Sequence, residues 1–124
     1  MNQSSPYKGK TGFKRVINAT HYSIAGFKTA FSNEAAFRQI VFINLILIPA
    51  SFFLNVSRVE QAVMIAVCLL ALIVELFNSA IEAVVDRISL ERHELSKNAK
   101  DMGSAAQFVA LAIIFFTWLI ILVP

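Results

Sequence analysis

Three stretches of this sequence are too apolar and too sparsely charged for a water-soluble fold, and they set the solvent before anything else. Residues 40–56, IVFINLILIPASFFLNV, carry no charge. At 1.5 Å per residue they reach about 26 Å as a helix, just short of a ~30 Å hydrocarbon core. Pro49 lies inside this run, where a membrane helix tolerates it if neighbours satisfy the freed carbonyl. Residues 62–85 open with AVMIAVCLLALIV and continue as ELFNSAIEAVV, apolar but carrying Glu75, Asn78 and Glu82. Residues 105–123 are again free of charge, with Trp118 toward the far end, where an interfacial indole belongs. Composition agrees: 57% of the chain is apolar and 15% charged, against roughly 45–50% and 25% in soluble domains. The single cysteine, Cys68, excludes a disulfide framework and a cysteine-based zinc site. No secretory signal is expected, because the first ten residues are polar and the first apolar run comes late.

Residues 13–31 follow a different pattern. Phe13, Val16, Ile17, Thr20, Ile24, Phe27 and Phe31 share one arc at helical period, with Lys14, Arg15, Asn18 and Tyr22 outside it. A basic amphipathic helix of this kind lies in the membrane interface. The chain therefore reads as one all-α membrane domain over 1–124. Its parts are a polar tail over 1–12, an interfacial helix over 13–33, and transmembrane helices over 40–56, 62–85 and 105–123.

Lysine and arginine set the orientation. Lys8, Lys10, Lys14, Arg15, Lys28 and Arg38 precede the first span, and only Arg58 lies between the first two. Arg87, Arg92, Lys97 and Lys100 lie between the second and third spans, and none follows the third. The positive-inside rule places the N-terminus and the 86–101 loop in the cytoplasm and the C-terminus outside.

The second span carries the functional signal. Glu75, Asn78, Ser79, Glu82 and Asp86 fall on one helical stripe. A carboxylate at the centre of a membrane helix costs about 2.5–3.5 kcal/mol on insertion scales. Glu82 sits about 6 Å along the helix from Asp86 and reaches the headgroups, but Glu75 sits about 16 Å away, below the surface. Ser79, Ala80 and Ala83 permit close packing, so polar glue between helices is the plain reading. Two glutamates seven residues apart exceed what glue requires, and intramembrane acids are functional candidates by default. Glu34 and Arg38 stand at the same cytoplasmic end, as does the stretch SLERHELSKNAKDMGS with Glu91, Arg92, His93, Glu94, Lys97, Lys100 and Asp101. Carboxylates with nearby cations suit a magnesium ion and an anionic ligand, hence phosphoryl chemistry.

Other motifs carry less. Gly9-Lys10-Thr11 resembles the end of a P-loop but lacks the earlier glycine and the preceding strand. His21 and His93 are too isolated for a zinc site. Asn55-Val56-Ser57 fits a glycosylation pattern that is common by chance. The eleven phenylalanines read as lipid-facing packing, and nucleic-acid binding has no support.

EAAFRQ at 34–39, VELFNSAIEAVVDRI at 74–88 and ERHELSKNAKDMGSAA at 91–106 together resemble the prokaryotic diacylglycerol kinase family. The resemblance runs from about residue 12 to 123. It implies a small three-span inner-membrane enzyme with an N-terminal interfacial helix, working as a homotrimer with active sites shared between subunits. It implies transfer of the γ-phosphate of ATP to the primary hydroxyl of diacylglycerol, giving phosphatidic acid, with magnesium as the cofactor. By motif position, Glu75 matches the family's general base, and Glu34 and Glu82 match its metal ligands. Asn78 matches a residue of the same site, and Lys100 and Asp101 match a nucleotide-contacting pair, with Glu91 and His93 nearby. Arg15 and Tyr22 match contacts from the N-terminal helix to nucleotide, Arg15 also to lipid, and Gln39 and Ser104 match positions near the lipid. His21, Ile24, Ile40 and Lys97-Asn98 depart from the family pattern, around the nucleotide and the lipid entrance rather than at the base or metal ligands.

Two other activities fit parts of this pattern. Undecaprenol kinase, of the same superfamily, resembles this chain in the Glu/Asn/Glu helix and the Ala-Lys-Asp loop, but FRQ after Glu34 resembles the diacylglycerol branch. A small proton-coupled exporter also carries an intramembrane glutamate, but needs four spans and has no use for carboxylates opposite a Lys-Asp pair. A non-enzymatic membrane subunit would use all the polar residues as glue.

Overall fold

The computed structural model describes residues 11–124. The expected polar tail lies outside the described residues as far as residue 10, and so do Lys8, Lys10 and the Gly9-Lys10 of the rejected P-loop. Four helices follow: α1 (Phe13–Asn33), α2 (Ala35–Ser51), α3 (Arg58–Ile88) and α4 (Glu94–Leu122). Among the described residues there is no strand. The chain divides into two compact units, one ending at Asn33 and one running from Glu34 to Pro124.

The first unit holds α1. Gly12 leads into it with a φ of 73°, a left-handed conformation that a side chain resists, and its carbonyl accepts the Arg15 N–H at 3.1 Å. Thr20 and Ser23 donate their hydroxyls back to the Val16 and Ala19 carbonyls, which keeps these polar groups satisfied within the helix.

The second unit is a three-helix arrangement with α3 in contact with both α2 and α4. α3 and α4, with 31 and 29 residues, are each long and apolar enough to cross a membrane. α2 has 17 residues. The expected span covers 40–56, but the helix starts earlier, at Ala35, and stops at Ser51. Pro49 has no N–H for the Leu45 carbonyl, and the chain turns there, with Phe52 and Phe53 bonding back to the Pro49 and Ala50 carbonyls.

The helices meet along narrow stripes. α2 buries Phe37, Ile40, Asn44 and Ser51. α3 buries Met64, Cys68, Ala71 and Glu75, and α4 buries Gly103, Gln107, Ala110 and Ile114. These spacings of three, four and seven put each set on one helical face. Four of these eight residues on α3 and α4 are small, Cys68, Ala71, Gly103 and Ala110, which lets backbones come close, as packing in lipid requires. Polar groups bridge the helices at several depths. Trp118 Nε1 donates to the Met64 carbonyl at 3.3 Å, and Gln107 Nε2 donates to the Ala71 carbonyl at 3.3 Å. Gln61 Nε2 reaches Ser51 Oγ at 3.5 Å.

α3 begins with a capping box. Ser57 Oγ accepts the Glu60 N–H at 3.1 Å, and Glu60 Oε1 accepts the Ser57 N–H at 2.9 Å. Ser57, the third residue of the glycosylation pattern, thus has a structural use. The bond from the Ser57 N–H, aided by the hydroxyl, holds the Glu60 carboxyl below its ordinary pKa of 4.5. A depressed folded value means the contribution of Glu60 is present above about pH 4.5 and is lost as pH falls through the folded pKa. Ser57→Ala should lower stability by about 1 kcal/mol. Thermal melts in micelles at neutral and acidic pH test this, and the gap between variant and parent should shrink on acidification.

Candidate active site

Polarity along α3 runs from buried to wet. Glu75 is 2% exposed, within the bundle of its own chain. Asn78, Ser79 and Glu82 are half-buried, and Asp86 is exposed. Of the expected stripe, Glu75 alone is enclosed. Gln107 and Asn78 neighbour its carboxyl, and Glu82 and Glu34 are near enough to act on it by charge.

Glu34 is the N-cap of α2, in extended conformation, and its side chain makes no capping bond. A glutamate at this position adds little as a cap, since the preferred residues are shorter. Glu34 thus brings a third carboxylate to the Glu75–Glu82 end of the unit.

Gly103 sets how closely α4 approaches α3. It is buried, and a Cβ built there would overlap Asn78 Oδ1 and come within 3.1 Å of Asn78 Cγ. The glycine of the DMGS motif is the space into which the Asn78 amide fits. Asn78 Oδ1 and Ser79 Oγ are both buried without a hydrogen-bond partner. Unsatisfied groups of this kind carry a desolvation cost of about 1–3 kcal/mol each and are more often kept for a task than by accident.

The region between the second and third spans is more helical than the expected loop over 86–101. α3 continues to Ile88 and α4 begins at Glu94, so only 89–93 is irregular. His93 is the N-cap of α4, and its Nδ1 accepts the Leu95 N–H at 3.1 Å. Glu94 in the first turn complements the helix dipole. Lys97, Lys100 and Asp101 therefore sit on the first turns of a helix, ahead of the apolar stretch that starts at residue 105.

Two ion pairs organise these residues. Lys100 Nζ meets Asp86 Oδ1 at 2.8 Å, linking α4 to the end of α3. Lys97 Nζ meets Asp101 Oδ2 at 2.6 Å, one turn apart on α4. Lys100 is held above its ordinary pKa chiefly by the bond to Asp86, and Lys97 by the bond to Asp101. Both pairs are solvent-exposed, so they orient the lysines more than they stabilise the fold. Lys100 and Asp101, adjacent in sequence, thus each have a different ion-pair partner.

A pocket of about 800 Å³ opens at this end, lined in part by Asp86, Glu91, Arg92, His93, Lys97 and Lys100. Its lining mixes three cations, Arg92, Lys97 and Lys100, with three carboxylates, Asp86, Glu91 and Glu94. Gln39 is exposed on α2, in a shallow groove with Arg38 and Phe42. Ser104 is exposed on α4. Arg15 and Tyr22 lie exposed on α1, in the other unit.

Among the described residues, no three histidine, cysteine or carboxylate groups cluster as a ready metal cage. The donors near Glu75 are carboxylates, Glu34 and Glu82. Two such hard oxygen donors suit magnesium, which keeps most of its shell for water and phosphate oxygens.

The profile described as Prokaryotic diacylglycerol kinase matches residues 21–122. The chain belongs to the prokaryotic diacylglycerol kinase family. Relatives bearing the name diacylglycerol kinase cover almost the whole chain. The one from Pseudomonas aeruginosa is 72% identical over 118 residues, 95% of this chain and 96% of its own length. The one from Haemophilus influenzae is 53% identical over 87% of this chain and 92% of its own. That from Escherichia coli strain K12 is 48% identical over 90% of this chain and 92% of its own. This chain is accordingly an enzyme of a membrane kinase family, and the matched region contains every candidate residue except Arg15.

Sequence reasoning missed Gly103 and Gln107. The signal for both was their spacing with Ala110 and Ile114, four, three and four residues apart on the seam of α4. Gln107 also stands out as a carboxamide in a span otherwise apolar apart from Thr117.

Gly103→Ala should force the Asn78 amide to rotate away while the helices stay packed, because the crowded atom is the end of a side chain. Turnover should fall about tenfold or more with little change in melting temperature. Steady-state rates and thermal melts on the same preparation test this, and a normal rate would free Asn78 of any need for its present position.

Proposed function

We propose that this chain transfers the γ-phosphate of ATP to the primary hydroxyl of diacylglycerol, giving phosphatidic acid at the cytoplasmic face of the membrane. The observation that carries the reading is Glu75, a nearly inaccessible carboxylate in an apolar helix, lying between the lipid-level seam and the polar pocket. Family membership and the names of the relatives support the substrate. The same names favour diacylglycerol over undecaprenol.

In the proposed reaction, α2, α3 and α4 cross the bilayer and the Asp86–Lys100 end faces the cytoplasm. Glu75 accepts the proton of the lipid hydroxyl as its oxygen attacks the γ-phosphorus. The bond between that phosphorus and the β–γ bridging oxygen breaks, and ADP leaves with the electron pair. A buried acid suits this role, because the lipid brings its hydroxyl to the level where the carboxylate lies. Glu34 and Glu82 would hold magnesium, which when bound neutralises phosphate charge. Lys100, Asp101, Glu91 and His93 position the nucleotide, with Asn78 between base and metal ligands. Arg15 and Tyr22 contribute contacts from the interfacial helix, Arg15 also to the lipid, and Gln39 and Ser104 lie along the lipid's approach. Phosphoryl transfer needs mainly positioning and charge neutralisation, so such a site suffices without a P-loop.

Three helices make a thin bundle, and many large apolar side chains remain exposed, among them Phe77, Phe108 and Ile120. We propose that the working form is a homotrimer with sites shared between subunits, in the bacterial inner membrane, with the C-terminus periplasmic.

Purified protein in micelles, given magnesium, labelled ATP and either diacylglycerol or undecaprenol, tests the reading. Label is expected in phosphatidic acid. Label chiefly in the polyprenol would assign the sister activity, and label in neither from folded protein would overturn the kinase reading. In the same assay Glu75→Gln should cut turnover by about 10²–10⁴-fold while nucleotide still binds. Glu34→Gln and Glu82→Gln should instead raise the KM for MgATP.

A further inference from the structure

Gln107 is 9% exposed, in the middle of an apolar helix. Its Nε2 donates across to α3, to the carbonyl of Ala71, at 3.3 Å. In an α-helix that carbonyl is also the acceptor of the N–H four residues on, which is the N–H of Glu75. The glutamine therefore grips the turn of α3 that ends in Glu75. A carboxamide has two N–H donors. One is used on the Ala71 carbonyl.

The other end of the amide separates this residue from ordinary glue. Gln107 Oε1 is buried with no hydrogen-bond partner. A glutamine placed only to join two helices gains most when both ends are satisfied, and a half-satisfied amide in an apolar span is costly. The adjacent seam offers a comparison. Asn44 on α2 is 8% exposed, and both of its side-chain polar atoms are buried without a partner. It makes no hydrogen bond to the Glu75 turn.

We infer that Gln107 is a positioning residue for Glu75. It holds the Ala71–Glu75 turn from the opposite helix and fixes where the carboxyl meets the lipid hydroxyl. The inference rests on Glu75 being the base.

The test compares Gln107→Met with Asn44→Leu and Glu75→Gln in the lipid phosphorylation assay. Methionine keeps the length and approximate volume of glutamine but has no donor. Gln107→Met should lower kcat about ten- to a hundredfold, as misplacement of a reacting group does. The KM values for MgATP and diacylglycerol should stay within about twofold of the parent, since nucleotide and lipid contacts are untouched. Asn44→Leu, which removes an equally buried amide that makes no hydrogen bond to the Glu75 turn, should leave kcat unchanged. A merely structural Gln107 predicts the opposite split, with a lower melting temperature and a normal kcat for the folded fraction. That result overturns the inference. If Gln107→Met does not fold, Gln107→Asn decides by the same criterion, because it keeps an amide that is one methylene too short to hold the turn. If Glu75→Gln retains turnover, the base assignment fails first. If Glu75→Gln is inactive while Gln107→Met turns over normally, the positioning inference fails alone.

Discussion

A carboxyl group enclosed by apolar helices is the constraint around which the rest of this chain is arranged. Glu75 is 2% exposed on a helix long and apolar enough to cross a bilayer. Ionised, it carries a cost that packing alone does not repay, on the order of 2.5–3.5 kcal/mol at the centre of a span. Its surroundings soften that cost. Two amides, on α4 and on the next turn of α3, stand beside it, and small residues let the helices close over it. Gly103 makes room for the Asn78 amide, and Gln107 bridges to the turn that carries the acid. In lipid there is no hydrophobic drive to bring helices together, so these close contacts and bridges also hold the bundle.

The same helix spreads its polar groups along a gradient. Glu75 is enclosed, Glu82 is half-buried and Asp86 meets water. Such a gradient suits a reaction between a lipid hydroxyl and a water-soluble phosphate donor. In the proposed reaction one reactant arrives at the depth of Glu75, and the other from the pocket that opens beyond Asp86 and Lys100. In the proposed mechanism the metal ligands Glu34 and Glu82 lie at the crossing, and Glu34 reaches it because it begins α2 without acting as a side-chain cap. The Asp86–Lys100 pair links the end of α3 to the start of α4 and orients Lys100 at the pocket.

Much of this was legible in the residues. The uncharged runs marked the apolar helices, since no other pattern keeps a charge-free stretch of that length out of water. The four- and three-residue spacing of Glu75, Asn78, Ser79 and Glu82 put them on one stripe, and the motifs pointed to the family that the comparisons then showed. The local structure between α3 and α4 was less legible. Its charges suggested a loop, but His93 caps a helix there, and only 89–93 stays irregular. The helical end at Ser51 was hidden because apolar residues continue past Pro49. Pairings such as Lys100 with Asp86 depend on how two helices are set side by side, which spacing within one helix does not reveal. Gln107 and Gly103 were passed over for the same reason, because their importance lies in what they face on α3.

The central claim is that Glu75 is kept for chemistry against the preference of the fold. The most direct measurement is the unfolding midpoint of Glu75→Gln beside the parent in the same micelles, at neutral pH and without nucleotide. Glutamine has nearly the same shape and no charge to desolvate, so its midpoint should equal or exceed that of the parent. A midpoint several degrees lower would mean that the carboxyl holds the helices together, and would contradict the account.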